Sequence, residues 1–510
     1  MINILLFFIF ILLAYNFYVH YGRNGRLINR IPGPSSYSII RKILQSSRKD
    51  LWKLQILDQY YPVSKVWLFS IPFVFIRHPD DIEVKILKQK SEKSFLYNFL
   101  HPWLNTGLLT SRGAKWQSRR KILNPTFRLA ILQQFVDVFI KRSENMANSL
   151  KNISDDTVKD LMLFISEYTL NTICDTVMGI SLQEFDLFQQ QYRNAINQML
   201  EFMVYRGLRP WLYLDWIFAL TSKGRQQKKL LNIIHGLSQK IIAEKKLYHE
   251  QTNGRYLKNC DKCTIEEDNV EAVTIEKRRL IMMDLLIAAS REGYLTDSDI
   301  KEEIDTILFA GHDTTAMTIC YVLLLLADHK DVQDRVREEV NAVMHESGGR
   351  FTMQSLQNLS YLERCIKETM RLYPVVYFLS RVTSEDIKLQ SYLIPAGTSL
   401  LISVYGVHRD PNYWPNPDIF DPDRFLPDNI RNQHPYAYLP FSAGSRNCIG
   451  QRFALLEMKS FIASLIYNFY LEPIENLKDV QFNVDVMLRP AYPLRLKFVP
   501  IVKKHADFKA

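Results

Sequence analysis

The sequence predicts a mainly α-helical domain with small β-sheets, an α+β architecture, and three observations predict it. From about residue 112 to 372, apolar residues recur at three- and four-residue spacing, as in QQFVDVFIKRSENMANSL and LLNIIHGLSQKIIAEKKL. Strand-like runs are short and few: KVWLFS and FVFIR before residue 110, IKLQSYLI and TSLLISVYGVH after 374. No internal repeat or linker interrupts the chain after residue 36, so residues 37–510 are expected to form one domain. With 510 residues, 47% of them hydrophobic and only 18 glycines, the chain can bury a large core, which excludes a disordered or low-complexity protein.

Taken in order, residues 1–20, MINILLFFIFILLAYNFYVH, contain no Lys, Arg, Asp or Glu. As a helix the stretch from Ile2 to Val19 would span about 27 Å, enough for a single transmembrane anchor. Arg23, Arg26 and Arg30 follow at once, which by the positive-inside rule leaves the rest of the chain in the cytosol. A cleaved signal peptide, the alternative, calls for a basic start and a small-residue cleavage site, and neither stands out. Residues 21–36, including INRIPGPSS, read as a basic, proline-rich linker, because proline holds a backbone extended and stiff. RPWLYLDWIFALT, dense in aromatics and leucine, is either packed core or a patch that dips into lipid. The polar stretch 251–278 reads as a loop. Thr296 with Asp299 fits a capping box opening a helix that runs to about Ala327. A last helix is expected from about Arg452.

Lysine plus arginine total 64 against 54 acids, a formal +10. That suits a nucleic acid, an anionic membrane or an acidic protein partner, and equally an ordinary charged surface. Six cysteines, at 174, 260, 263, 320, 365 and 448, are too few for a disulfide framework and suggest reducing surroundings. Cys260 and Cys263 form a CxxC without the second ligand pair that a closed zinc site needs, so a solvated loop is the plainer reading.

The sharpest chemical signal is PFSAGSRNCIGQRF, residues 440–453. Cys448 stands in a glycine-bearing loop just before a helix, where free amide hydrogens and the positive dipole end favour a thiolate, the form that ligates metal. Alone, this loop could equally be a redox-sensing thiol or a structural turn.

The set Phe441, Gly444, Arg446, Cys448 and Gly450 resembles the cysteine-ligand loop of the cytochrome P-450 enzymes, the heme-thiolate monooxygenases. Glu368 and Arg371 in KETMRLYP resemble that family's ExxR, and Arg424 in DPDRF the arginine completing its buried ion pair. The resemblance spans essentially the whole chain, and it implies the cytochrome P-450 fold and heme b bound through Cys448. Phe441 and Gly450 are implied to pack at the heme. Trp116, Arg120, Arg381 and Arg446 fall at the family's positions for the two heme propionates, and Arg suits carboxylates because it binds them through two parallel hydrogen bonds. Ala310, Gly311, His312, Asp313 and Thr314 match the oxygen-activating segment of the long helix. There Thr314 is expected to donate to, and orient water against, iron-bound peroxide, Asp313 to relay protons, and Gly311 to leave space for oxygen. His312 points around the helix from Ala310 and Thr314, so a packed histidine is expected rather than a second iron ligand.

EEIDTILFAGHDTT and HPWLNTGLLTSRGAKW resemble the fatty-acid ω-hydroxylase branch, family 4. Many members of that branch carry a glutamate, at the place of Ala310, that forms an ester to the heme. A methyl group cannot form that ester, so non-covalently held heme is expected, and in-chain hydroxylation, epoxidation or a terpenoid substrate becomes more plausible. Candidate substrate contacts are Ile307 and Ala310 on the helix, Val375, Val376, Tyr377 and Phe378 after the ExxR, and Leu100, Trp103 and Leu108 ahead of Trp116. The resemblance further implies an NADPH-dependent flavoprotein reductase as electron donor, cytochrome b5 as a further partner, an apolar substrate, no nucleic acid, and an endoplasmic-reticulum membrane with the catalytic domain on its cytosolic side. Hormone or xenobiotic substrates, a heme-thiolate isomerase or dehydratase, and a non-enzymatic heme binder are the alternatives. Isomerase branches tend to lose the acid–alcohol pair, which Asp313 and Thr314 retain.

Overall fold

The longest helix begins where the capping box places it. Thr296 accepts from the Asp299 backbone and Asp299 answers to the Thr296 backbone, opening a helix over Asp297–Asp328. In this computed structural model, which describes residues 2–45, 48, 60–83, 92–151, 157–158, 160–182, 186–253 and 281–501, that helix runs through the core. By length and composition it could cross a membrane, but most of its side chains are buried in protein, so it is a core helix. Cys260, Cys263 and most of the stretch read as a loop lie outside the described residues.

The helices that position the site are α1 (Ile2–Tyr21), α2 (Arg23–Asn29), α3 (Gly113–Leu123), α4 (Leu129–Lys151), α5 (Leu161–Ile173), α6 (Asp186–Gly207), α7 (Ser222–Gln251), α8 (Asp297–Asp328), α9 (Ser360–Leu372) and α10 (Gln451–Asn468). Helix α5 lies along α8, where Thr169 Oγ1 donates to the His312 carbonyl at 3.0 Å. Helix α10 lies along α4, with Phe139 edge-on to Phe453 at 5.0 Å and Ser460 bonded to Ser143. Phe139 and Phe453 belong to one large apolar cluster that also takes in the buried face of α8.

The largest sheet has four strands, β1 (Val63–Leu68), β2 (Ile71–Ile76), β3 (Phe378–Val382) and β4 (Ser399–Ser403), in the order β1-β2-β4-β3. β1 and β2 form a hairpin, β2 runs parallel to β4 with Phe73 opposite Ser399, and β3 is antiparallel to β4. IKLQSYLI forms a small hairpin, Ile387–Lys388 with Leu393–Ile394. The strand-like run TSLLISVYGVH divides, since Val404–Val407 turns helical after β4.

Residues 21–36, expected as a stiff basic linker, also pack against the domain. Seven of them form α2, and Ile28 and Ile31, each 1% exposed, join the apolar cluster under the sheet with Val63 and Trp67. Two well-placed isoleucines turn a segment that proline would hold stiff into part of the core. RPWLYLDWIFALT is of both kinds at once. Leu212 and Phe218 are buried, whereas Trp211, Leu214, Trp216 and Leu220 are exposed.

Candidate heme-thiolate site

The Cys448 loop is held from three sides. Gly444 takes φ +73°, a left-handed conformation that a side chain would strain, and so turns the chain back on itself. The Cys448 amide then donates to the Phe441 carbonyl at 2.9 Å, closing the loop, and Gly450 caps α10. Arg120 on α3 clamps the loop with two bonds to Asn447, 2.8 Å to its carbonyl and 2.9 Å to Oδ1. Protein encloses the thiol closely and burial pushes its pKa up, while the Gly450 N–H and the Arg120 charge act the other way. Yet Cys448 keeps accessible surface. The thiol is thus closely surrounded by protein yet reachable from outside it.

Glu368 and Arg371 are both fully buried at the end of α9 and form a two-pronged pair at 2.7 and 2.8 Å. Arg371 also donates to the carbonyls of His408 (2.9 Å), Pro417 (2.6 Å) and Ile419 (3.1 Å). Arg424 lies 3.4 Å from Glu368 and donates to Pro415 and Asn416. The link to the cysteine is traceable. His408 Nε2 accepts from the Leu439 amide at 2.7 Å, two residues before Phe441, which in turn receives the Cys448 amide. Burial and the Arg371 charge push His408 down to about 3, so the imidazole stays neutral and can accept.

Cations surround the loop in a way that asks for anions. Arg381 is 1% exposed and donates from Nη1 to Ser380, but its buried Nη2 has no partner among the described residues. Arg446 stacks over the Trp116 ring at 4.4 Å and bonds Ser111 and Glu92. Lys93, not expected from the sequence, is buried beside them. It donates to Tyr97 Oη at 3.2 Å, and burial, with Arg381 and Arg446 nearby, lowers it to about 8. An unpartnered buried guanidinium nitrogen in such a cluster is costly unless a carboxylate meets it. The four residues therefore fit a group that carries two carboxylates and sits against Cys448, which is what heme is.

On α8, Ala310 is exposed and Gly311 and Thr314 partly so, whereas Phe309, His312, Asp313 and Thr315 are buried. Thr314 Oγ1 donates to the Ala310 carbonyl at 2.7 Å. In this arrangement its hydrogen lies on that carbonyl and a lone pair faces the open side, where the sequence places a donor. Gly311 does not leave room for oxygen. A Cβ there would meet Ile173 Cδ1 at 2.8 Å, so the missing side chain lets α5 approach α8. His312 is 1% exposed and Nδ1 donates to the Leu308 carbonyl at 2.5 Å, a packed histidine as expected. Asp313, 2% exposed, is paired with Arg489, whose Nη1 donates to Asn197 on α6 at 2.8 Å. Burial would lower Arg489, but the Asp313 and Asp485 carboxylates outweigh it and hold the guanidinium above its ordinary value.

The expected substrate contacts divide. Ala310 is open, and Val376 and Phe378 are half-buried. Trp103 is 0% exposed and packs on Phe309 at 4.7 Å, and Leu100, Leu108, Ile307 and Val375 are also buried, so they shape the wall from behind. Tyr377 is turned away, with its hydroxyl bonded to the Asp485 carbonyl. Glu302 and Glu303 of EEIDT, with Asp299 just ahead of them, fasten this region. Glu302 accepts from Lys115 at 2.7 Å, Asp299 pairs with Arg119, and Glu303 accepts the Leu108 amide at 3.0 Å, fastening α3 and the 104–112 segment to α8. Arg489 and Lys93 had no local signal, since one stands 176 residues from Asp313 and the other in an unremarkable run.

Comparison with known proteins agrees with this geometry. Residues 31–498 match the family model for cytochrome P-450. The chain is 38% identical to cytochrome P-450 4c21 of Blattella germanica over 488 residues, 94% of this chain and 95% of that protein. It is 35% identical to cytochrome P-450 4c3 of Drosophila melanogaster over 94% of this chain and 92% of that protein. It is 36% identical to human cytochrome P-450 4V2 over 88% of this chain and 84% of that protein. With a family match across nearly its whole length, this chain belongs to the cytochrome P-450 family and is a heme-thiolate monooxygenase.

Proposed function

We propose that the protein hydroxylates a fatty acid or a similar lipid, drawing electrons from NADPH through a separate flavoprotein reductase. The observation that carries this reading is the open face of α8, where Ala310 and Thr314 break an otherwise closed apolar core. An apolar surround with one polar group favours a long hydrocarbon and leaves the alcohol for the chemistry.

Cys448 would hold the iron, with Arg120 and the Gly450 N–H tempering its charge. Arg381, Arg446, Lys93 and Trp116 would meet the propionates. When bound, heme supplies dioxygen binding and oxygen-atom transfer. With its hydrogen on the Ala310 carbonyl, Thr314 Oγ1 would accept from a water on the open side and so hold it in place. Asp313 takes up a proton when its carboxylate leaves Arg489, and carries it toward Thr314 by a side-chain swing or through water. The reading is tested by the carbon monoxide difference spectrum of the reduced membrane protein, followed by turnover of dodecanoic and hexadecanoic acids with NADPH and reductase. A strongly red-shifted Soret band and hydroxylated products are expected. A band at the ordinary histidine-heme position, or oxygen consumption without product from any lipid, overturns it.

Ala310 predicts heme that is not esterified to the chain. Acidified solvent should strip all heme from the wild type, whereas Ala310→Glu should retain a fraction as a heme–protein adduct in the intact mass. Heme retained by the wild type would refute the assignment.

A membrane-anchored form fits α1, whose apolar side chains are exposed from Phe10 to Leu13 and again at Phe17. Asn16 bonds Ser70 at 3.1 Å, His20 bonds the Phe69 carbonyl, and Phe69 meets Trp211 edge-on at 6.3 Å. The β1–β2 turn thereby brings the exposed Trp211 patch to the anchor's side, so both can enter one bilayer, taken here as the endoplasmic reticulum with the domain in the cytosol. Alkaline carbonate should leave the chain in the membrane pellet; release into the supernatant would sink the anchor.

A further inference from the structure

A second cleft, of about 510 Å³, opens between the 95–102 segment and the end of α6, lined by Phe95, Phe99, His101, Arg206, Tyr213 and Asp215. Its unusual member is Arg206. The residue is 3% exposed, and its guanidinium lies 4.8 Å from the Phe99 ring and 5.0 Å from Phe218. Nε donates to the Leu212 carbonyl at 2.7 Å, and Nη2 donates to the Tyr213 carbonyl and to Asp215 Oδ1, each at 2.6 Å. Nη1 has no hydrogen-bond partner among the described residues.

A desolvated cation is costly unless an anion meets it. Its one carboxylate partner, Asp215, has a side chain 87% exposed, so that charge stands in water and is screened. The guanidinium is therefore fixed by carbonyls and rings, short of a buried anion, and leaves one nitrogen open to a cleft walled by aromatics. Beside it lie the exposed Trp211, Leu214 and Trp216, a surface suited to deliver an amphiphile.

We propose that this cleft receives the oxyanion head of an amphiphilic substrate, a fatty-acid carboxylate, which bonds Arg206 through Nη1 and displaces Asp215 from it. The proposal rests on the lipid reading above and adds where the acid group is recognised. The same oxyanion chemistry could come from a phospholipid headgroup, and the test separates the two.

Hexadecanoate and methyl hexadecanoate are titrated against the heme-loaded protein in phosphatidylcholine nanodiscs, reading tryptophan fluorescence and the Soret shift. The wild type should bind the acid about tenfold more tightly than the ester. Asp215→Asn removes the competing carboxylate, so the acid should bind several-fold more tightly still and the ester as before. Arg206→Gln should abolish the preference for the acid. Should Arg206→Gln fail to load heme, Asp215→Asn carries the test, because loss of an exposed acid is not expected to disturb the fold and a structural role would not tighten acid binding. Equal affinities for acid and ester in the wild type, or acid binding unchanged in Asp215→Asn, overturn the proposal while leaving the monooxygenase reading intact. Binding of neither ligand overturns both the cleft and the fatty-acid reading. If Asp215→Asn instead changes only binding to phosphatidylserine vesicles over phosphatidylcholine vesicles, the oxyanion is a headgroup and the carboxylate proposal fails.

Discussion

Asp313→Asn is expected to lower the turnover number by about a hundredfold, the low end of what a positioned proton-transfer group contributes. The amide keeps the shape of the carboxylate and can still accept from Arg489, so the helix should stay in place. What it loses is the capacity to take up and release a proton. Thr314 cannot compensate, because its own hydrogen is committed to the Ala310 carbonyl and its free side only accepts. Removing the Asp313 charge also leaves Arg489 with Asp485 as its remaining nearby carboxylate, and a half-paired buried guanidinium weakens the contact to Asn197 on α6. The check is single-turnover product formation beside the reduced carbon monoxide spectrum. Slow product with an unchanged Soret band is the expected pair. Full-speed turnover would remove Asp313 from the proton path.

Arg371→Ala should give a chain that does not retain heme. The guanidinium makes five hydrogen bonds, two to Glu368 and one each to the carbonyls of His408, Pro417 and Ile419. Its loss strands a fully buried carboxylate whose other cation, Arg424, is 3.4 Å away, and breaking such a pair costs about 3–5 kcal/mol. That is a large share of the 5–15 kcal/mol by which a domain is stable. The damage is directed, because His408 stands between Arg371 and the Leu439 amide, and Leu439 leads to the Phe441–Cys448 closure. The heme-to-protein ratio and the melting temperature measure it. Lys367→Ala on the same helix is the control: its pair with Glu363 is about one-third exposed on both sides, so the cost should stay below about 1 kcal/mol. Equal heme content in the two variants would show that the buried pair does not hold the loop.

Much of the site is legible because its signals are local. The capping box of α8 is two residues three apart, the ExxR pair is one helical turn, and the Cys448 loop needs Gly444 within four residues for a turn that other side chains resist. The α+β class follows from periodicity alone, since a run of apolar residues at three and four can only bury itself as a helix. Trp116 with Arg120 was legible as one helical face, though not that Arg120 would turn both its Nη atoms onto Asn447.

The sequence by itself thus determined the elements and the chemical identity of the site: the helix that carries Ala310 to Thr314, the thiolate loop before α10, and a cationic surround for a dianionic cofactor. Only the tertiary structure decided which partner each group meets. It gave Asp313 to Arg489, filled the space beside Gly311 with Ile173, turned the Thr314 hydroxyl onto its own helix, drew Lys93 into the cationic cluster and sank Arg206 between two rings. Each of these joins side chains through packing of separate elements or through one of several rotamers open to the same sequence. Backbone propensity and spacing act over a few residues, whereas burial and charge pairing act wherever the folded chain brings groups together, and that leaves no pattern to read along the chain.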